Sequence, residues 1–581
     1  MIPDSHRSAS FAFAAALGLV VVLALSAAAS GVNGFDEPIQ FLGLTSVLEH
    51  GAAVLAHKHP DFNDIHSNLE FYGIAPRLPA YLLWNMVKVI RKVIDPFGDL
   101  GLSTISGNGL HAAYRSGFFA IAHLVSIAYF VGAALIVNRV SRKLGAPQPE
   151  FAGVMLLFFP ALLGFSLISV KDTAFAFFYS LYSYTLASVW QQHLRAGDQD
   201  TNNSGWRLLC LHGGVTGLLA SIYASSLFLI LISETLMALV LHKASRQPLK
   251  HWFRQLGVFL AIAACTWFVL SPPAWSNPLR FLGASVQYSL DGAQAWGGCM
   301  HFLNTCPRKG EDWSVLIYLK NWLFSTMPLL HLFGLACALC FILSRLGHWM
   351  LGMSSKGKRW RFTEWTWLRN PFLLAFMLQG SLTPAALVLT NGFIYDGIRH
   401  ILFLLPPITI FSYLGLARAF SACVNNVQRM VFLLPVGIMS LLLVINLFLL
   451  HPYQYTYFNE LALLRGVSWK NTDLDFYYAS DAESLRNFML TDRFQHFARD
   501  GGLDIKGSPP LDHAYHVERF PRKKGHPFFF TNHAREPGII LRKSCKQEGK
   551  SVYRQQLFGP MNIYGTPQVC LASSYRDWDP F

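Results

Sequence analysis

Charge is what this chain has least of. Only 14% of its 581 residues are charged, against about 25% in a typical soluble domain. Aliphatic and aromatic side chains fill the difference, with 52% hydrophobic residues, Phe 46 and Trp 15. A surface that apolar excludes a chain wrapped by water and makes lipid its expected solvent. No Walker-type glycine loop is present, which excludes P-loop nucleotide hydrolysis. Gly213-Gly214 and Gly501-Gly502 read as packing and turn glycines. Of the nine cysteines, only Cys337 and Cys340 make a C-x-x-C spacing. They lie inside an apolar run with no second pair, so a zinc ribbon is excluded and both are expected in the core. Internal repeats and low-complexity tracts are also missing.

The charge that is present is lopsided, at +14 net with a pI of about 9.3. Basic residues sit in short loops between apolar runs, not on an aromatic-basic face, which argues against a nucleic-acid partner. About eleven runs approach the roughly 20 residues needed to span a bilayer. They cover 11–30, 112–137, 151–169, 173–189, 208–223, 225–241, 256–270, 322–343, 371–389, 401–416 and 431–450. With the N-terminus in the cytoplasm, the loops after the even-numbered runs are cytoplasmic. Each is basic, from Arg139, Arg142 and Lys143 through to Arg418 and Arg429, as the positive-inside rule requires. The first run is too long for a usual signal peptide and is expected to be retained.

Three long segments then face the other side: 31–111, 271–320 and the tail 451–581. The expected fold class is mainly α: a polytopic membrane helix bundle over 1–450, with a small extracytoplasmic α/β domain over 451–581. Cys299 with Cys306, and Cys545 with Cys570, share these segments and can each close a disulfide in an oxidising compartment. The sequon at Asn202-Asn203-Ser204 is expected in the cytoplasm and unused.

Three polar clusters fall on that same outer face. Asp36 and Glu37 follow the first run. Lys171 and Asp172 stand at the turn between the third and fourth runs. Asp396, Arg399 and His400 stand between the ninth and tenth. Each alone has a plainer account, as an interfacial pair, a self-neutralising turn or a capping cluster. Their shared interface points to one site open to both lipid and water. Charge at a membrane boundary is costly unless it is solvated or used, and the guanidinium fork of an Arg matches phosphate oxygens. A fourth group, His57, His59, Asp61, Asp64 and His66, fits no standard zinc spacing. Phe71, Tyr72, Tyr81 and Trp84 with Lys88, Arg91 and Lys92 read as interfacial amphipathic segments.

At these residues the chain resembles the GT-C glycosyltransferases of family 39, the protein O-mannosyltransferase-like and aminoarabinose-transferase-like enzymes. The resemblance rests on four stretches: Phe35-Asp36-Glu37-Pro38, the run from Ser169 to Phe177, the run from Asp396 to Phe403, and the run from His451 to Glu460. It implies a polyprenyl- or dolichyl-phosphate monosaccharide donor and an acceptor hydroxyl or amine on a protein, lipid or glycan, at the periplasmic or luminal face. It implies Asp36 as catalytic base beside Glu37. Lys171 and Arg399 are then expected on the donor phosphate, and Asp172, Asp396 and His400 on substrate, with Asp172 orienting Lys171. Gln40 stands where the family often has a further acidic or His residue. No ligand set marks a metal site, though a divalent cation is a possible cofactor. A lipid or sugar transporter, or a non-catalytic subunit of a glycan-assembly machine, is the competing reading.

Overall fold

The computed structural model describes residues 3–30, 37–58, 60, 71, 73–94, 118–195, 203–241, 249–291, 301–308, 311–355, 370–468, 471–472, and strands within 505–573. The described helices are α1 (Pro3–Ser30), α2 (Glu37–Leu55), α3 (Leu78–Ile94), α4 (Phe118–Lys143), α5 (Glu150–Leu157), α6 (Pro160–Ser166), α7 (Val170–Arg195), α8 (Asn203–Ile222) and α9 (Ser226–Leu241). They continue as α10 (Leu249–Val269), α11 (Pro278–Asp291), α12 (Val315–Thr326), α13 (Leu329–Ser355), α14 (Pro371–Thr390), α15 (Leu405–Ala422), α16 (Asn426–Leu449) and α17 (Glu460–Leu464). Short 3-10 turns cover Pro272–Trp275, Arg399–Leu404 and Gln454–Thr456.

Among the described residues, seven helices are long and apolar enough to cross a membrane, as an integral membrane protein requires. Six of them match the expected runs at 11–30, 112–137, 256–270, 371–389, 401–416 and 431–450, and the seventh, Leu329–Gly347, covers only the later part of the run 322–343. The other runs differ for identifiable reasons. The run 151–169 is two short helices, α5 and α6, because Pro160 sits at the first position of a new helix; a proline is tolerated there but not inside. The run 322–343 is likewise divided, with α12 ending at Thr326 and α13 starting beyond Pro328. Helix α7 carries Ser, Thr, Tyr and Gln along its length, and α9 has only 16 residues.

The core lies where α4, α5, α6, α7 and α15 meet. Phe130, Leu156, Phe159, Leu163, Phe165, Tyr182 and Leu405 are fully enclosed there. Helices α13 and α16 turn large apolar side chains such as Leu339, Ile342, Leu434 and Leu441 outward, which suits lipid-facing surfaces. Cys340 belongs to that outer face and is exposed, and Cys337 is half-buried, so neither takes the core position expected for it. Cys306 is disulfide-bonded.

Close helix contact depends on small residues, since lipid offers no hydrophobic drive for helices to associate. Gly334 of α13 and Gly415 of α15 face one another. A methyl group on Gly415 would lie 2.1 Å from the Gly334 carbonyl oxygen. Gly164 of α6 is held equally closely by the backbone of the Gln454–Thr456 turn. In the tail, β1 (Ile505–Lys506), β2 (Ile539–Arg542), β3 (Ser551–Gln556) and β4 (Gln568–Ser573) form one sheet in the order β1-β2-β4-β3. β1 runs parallel to β2, and the other two pairings are antiparallel.

Replacing Gly415 with Leu should force α13 and α15 apart and lower the apparent Tm in detergent by several degrees. Gly437→Ala on α16, where nothing lies within 4 Å, should change stability by less than about 1 kcal/mol. Thermal unfolding of the two variants checks the contrast.

Candidate functional site

The chain builds its site at the N-terminal end of α7. Ser169 precedes the helix and its hydroxyl donates to Asp172 Oδ2 at 2.7 Å. A Ser followed three residues later by a carboxylate is the capping pattern of a helix start, and the positive end of the helix dipole favours an anion in this first turn. Asp172 is therefore fixed in part by its own helix start. Tyr223, just past the end of α8, donates its hydroxyl to the other oxygen, Asp172 Oδ1, at 2.8 Å.

The second part of the site comes from the link between α14 and α15. Asn370 caps α14, accepting hydrogen bonds from Phe372 and Leu373, with Pro371 at the first helical position. Asn391 ends the same helix in a left-handed conformation, a usual way to stop a helix. Its side-chain oxygen then accepts from the Val315 backbone at 3.0 Å, which joins the link to the start of α12. Asp396 and Gly397 are both left-handed, with φ of 56° and 62°. Asp and Gly are among the residues that accept that geometry, and the tight curl brings Asp396 back onto Arg399. Tyr318 of α12 donates to the Gly397 carbonyl at 2.9 Å and secures the curl. Burial and the nearby Asp396 carboxylate push the Tyr318 phenol well above its ordinary pKa, so it stays a donor.

The two parts meet at Arg399. Its Nη2 lies 3.1 Å from Asp396 Oδ2, and its Nε lies 3.8 Å from Asp172 Oδ2. Gln379 of α14 fixes the approach by donating to the Phe403 carbonyl at 2.8 Å and to Ser180 of α7 at 3.2 Å. Phe403 packs edge-on against Phe175 of α7. Thus Lys171, Asp172, Asp396, Arg399 and His400, expected from distant parts of the sequence to share a face, lie in one cluster. Lys171, Asp172 and Arg399 are 4%, 4% and 5% exposed. Buried charges survive only when paired, and here two cations stand among two carboxylates.

Asp172 is directed to Ser169, Tyr223 and Arg399 with Lys171 beside it as a charge partner, and Lys171 Nζ lies 5.1 Å above the Tyr223 ring. The cation is placed over an aromatic face, and Tyr223 serves both members of the pair. His400 stands against the Tyr395 ring, with centroids 4.7 Å apart, and its Nε2 lies 3.4 Å from Arg399 Nη2. Trp313, Tyr318, Trp322, Phe393 and Tyr395 line an aromatic cleft beside this cluster.

Asp36 lies outside the described residues, and Glu37 is the first residue of α2. His59, Asp61, Asp64 and His66 also lie outside them. Among the described residues, no group of three or more His, Cys, Asp or Glu side chains gathers as a metal site. Asp172 and Asp396 are both turned to Arg399, so the guanidinium already stands where their shared cation would be. Tyr223 and Tyr318 were not anticipated from sequence. For Tyr223 the only signal was a tyrosine at the end of an apolar run, which also describes any interfacial aromatic; Tyr318 lies in the segment 271–320 with no signal of its own. The stretch from His451 to Glu460 is structural. Gln454, Tyr455, Thr456 and Asn459 are buried, and Asn459 donates to the Met327 carbonyl at the end of α12. Burial lowers the His451 pKa, against a smaller opposing effect of its hydrogen bond with Gln454.

The chain matches no described protein-family profile. It also matches no curated protein by sequence. Among solved structures, it superposes on the archaeal oligosaccharyltransferase AglB from Archaeoglobus fulgidus, determined with an inhibitory peptide and a dolichol-phosphate, with a TM-score of 0.45 and 12% identity. The superposition covers 87% of this chain and 63% of that one, so this chain spans less than two thirds of that neighbour's length.

Arg399 and Asp396 should be energetically coupled. A double-mutant cycle with Arg399→Gln and Asp396→Asn, read by reversible unfolding in mixed detergent, is expected to give an interaction energy of about 1–3 kcal/mol. Losses that add to within about 0.5 kcal/mol would mean that the two charges do not support one another.

Proposed function

We propose that this chain is a membrane glycosyltransferase, moving a monosaccharide from a polyprenyl- or dolichyl-phosphate donor to an acceptor hydroxyl or amine at the non-cytoplasmic face. The observation that carries the reading is the meeting of Lys171 and Asp172 with Asp396 and Arg399. These are the residues of two stretches that resemble family 39 of the GT-C enzymes.

The chemistry follows from the charges. As the bond between sugar and phosphate breaks, negative charge grows on the lipid phosphate. Arg399 and Lys171 are the cations that offset it, and preorganised charge aimed at a developing anion is often the largest single contribution to catalysis. In the resting site Arg399 is shared between two carboxylates. Phosphate binding therefore exchanges one anion for another, and the longer 3.8 Å contact to Asp172 is the one that yields. Asp172 keeps its bonds to Ser169 and Tyr223 throughout. Asp396 follows Tyr395 of the aromatic cleft and His400 stands against its ring; both are assigned to the sugar or the acceptor. Asp36, with Glu37 beside it, takes the acceptor proton, and attack from the face opposite the phosphate inverts the anomeric carbon. The phosphate bond supplies the activation, so no nucleotide is required. The carboxylates are committed to Arg399, and no step is assigned to a divalent cation.

Purified protein in liposomes, given labelled polyprenyl-phosphate monosaccharides, should transfer or slowly hydrolyse one of them. Asp36→Asn should lower that rate at least about a hundredfold, in line with the loss of a general base. Activity within tenfold of wild type would remove Asp36 as the base. No turnover of any donor would remove the transferase reading.

A further inference from the structure

A second polar cluster lies inside the bundle, about 20 Å along α7 from Asp172. It takes no part in the site above. His212 of α8 is 2% exposed. Its Nδ1 lies 2.9 Å from Thr185 Oγ1 of α7, and its Nε2 lies 2.8 Å from Glu234 Oε1 of α9. The imidazole is stacked between two rings: Tyr182 of α7 at 5.3 Å and Phe259 of α10 at 5.2 Å. Four helices therefore meet at this one side chain.

Hydrogen bonds hold the ring at both nitrogens. The Thr185 hydroxyl lies within reach of the Tyr182 carbonyl at 3.0 Å and of His212 Nδ1, and Nε2 meets the Glu234 carboxyl. Both ring nitrogens are therefore partnered, whichever tautomer is present. The Tyr182 hydroxyl lies 3.1 Å from the same Glu234 oxygen and 3.3 Å from the Ile230 carbonyl. Tyr179 and Ser233 are buried next to Tyr182.

The pair occupies a particular place in the chain. Tyr223 stands in the tight turn between α8 and α9, where the Ser226 hydroxyl donates to the Leu219 carbonyl at 3.1 Å. His212 and Glu234 each lie eleven residues from Tyr223, one on each arm of this hairpin. The arms have few other direct contacts. We propose that the buried His212–Glu234 hydrogen bond clamps the α8–α9 hairpin and so holds Tyr223 beneath Lys171 and against Asp172. Both are positioning residues, acting on the reaction through Tyr223. Fixing register is a well-attested use of a buried polar pair. The link to catalysis rests on the transferase reading of the site; the clamp itself does not.

The test has two arms. In the first, hydrogen–deuterium exchange in nanodiscs reads the hairpin directly. Glu234→Leu, which removes the hydrogen bond and keeps an apolar side chain, should speed exchange of the 219–226 backbone amides at least about tenfold. Exchange unchanged from wild type would overturn the proposal. In the second arm, Glu234→Leu should lower kcat about tenfold and leave the donor KM within about twofold. Adding it to Tyr223→Phe should cost little more than Tyr223→Phe alone, because both act through one hydrogen bond. Losses that multiply would assign Glu234 a general structural role and overturn the positioning claim. If Glu234→Leu does not fold, Glu234→Asp, which keeps the carboxyl on a shorter arm, is read in the same cycle. A wild type that transfers no sugar would fail the reading of the site, while the exchange rates would still decide the clamp.

Discussion

Arg399 sits among carboxylates in a place that excludes water, and much of the molecule is arranged around that fact. An unpaired guanidinium there would cost several kcal/mol. Two acids therefore reach it from opposite directions: Asp396 from its own turn and Asp172 from the first turn of α7. Each acid is itself fixed. Ser169 and Tyr223 hold Asp172, and the left-handed curl at Asp396 and Gly397, tied to Tyr318, holds Asp396. A cation held this way meets an incoming phosphate already oriented, which limits the reorganisation needed at the moment of reaction.

The same constraint explains features remote from the cluster. Gln379 reaches from α14 to both α7 and the Arg399–Leu404 turn because these elements must keep one spacing for Arg399 to meet Asp172. The aromatic side chains at positions 172+3 and 172+7 of α7, Phe175 and Tyr179, pack against Phe403 for the same reason. The stretch from His451 to Glu460 acts beneath α12, whose Tyr318 secures the curl.

Much of this could be read in the sequence. The count of apolar runs and the basic loops between them placed residues 171–172 and 396–400 on one face, and those residues lie together in the structure. Two local signals went unused: Ser169 three residues before Asp172 starts a helix, and Asp396-Gly397 makes a tight curl. What stayed hidden needed three-dimensional contact. Tyr223 looks like any tyrosine closing an apolar run, and nothing in its neighbourhood names Asp172, 51 residues away. His212 and Glu234 interrupt apolar runs in a way that hydropathy averages out. The divided runs at Pro160 and Pro328 were legible in principle, but length and apolarity outweighed the prolines. Asp36, on which the proposed chemistry depends, lies outside the described residues.

The central claim is that Arg399 exchanges a carboxylate for the phosphate of a lipid donor. The most direct measurement is phosphorus NMR of a polyprenyl monophosphate titrated into the purified protein in nanodiscs. Wild type and Arg399→Gln are compared, with Arg280→Gln, an exposed arginine on α11, as the control. A bound phosphate signal in the wild type and in Arg280→Gln, weakened at least about tenfold in Arg399→Gln as expected for the loss of a charge-assisted contact, is the predicted result. Equal affinity in all three proteins would contradict it.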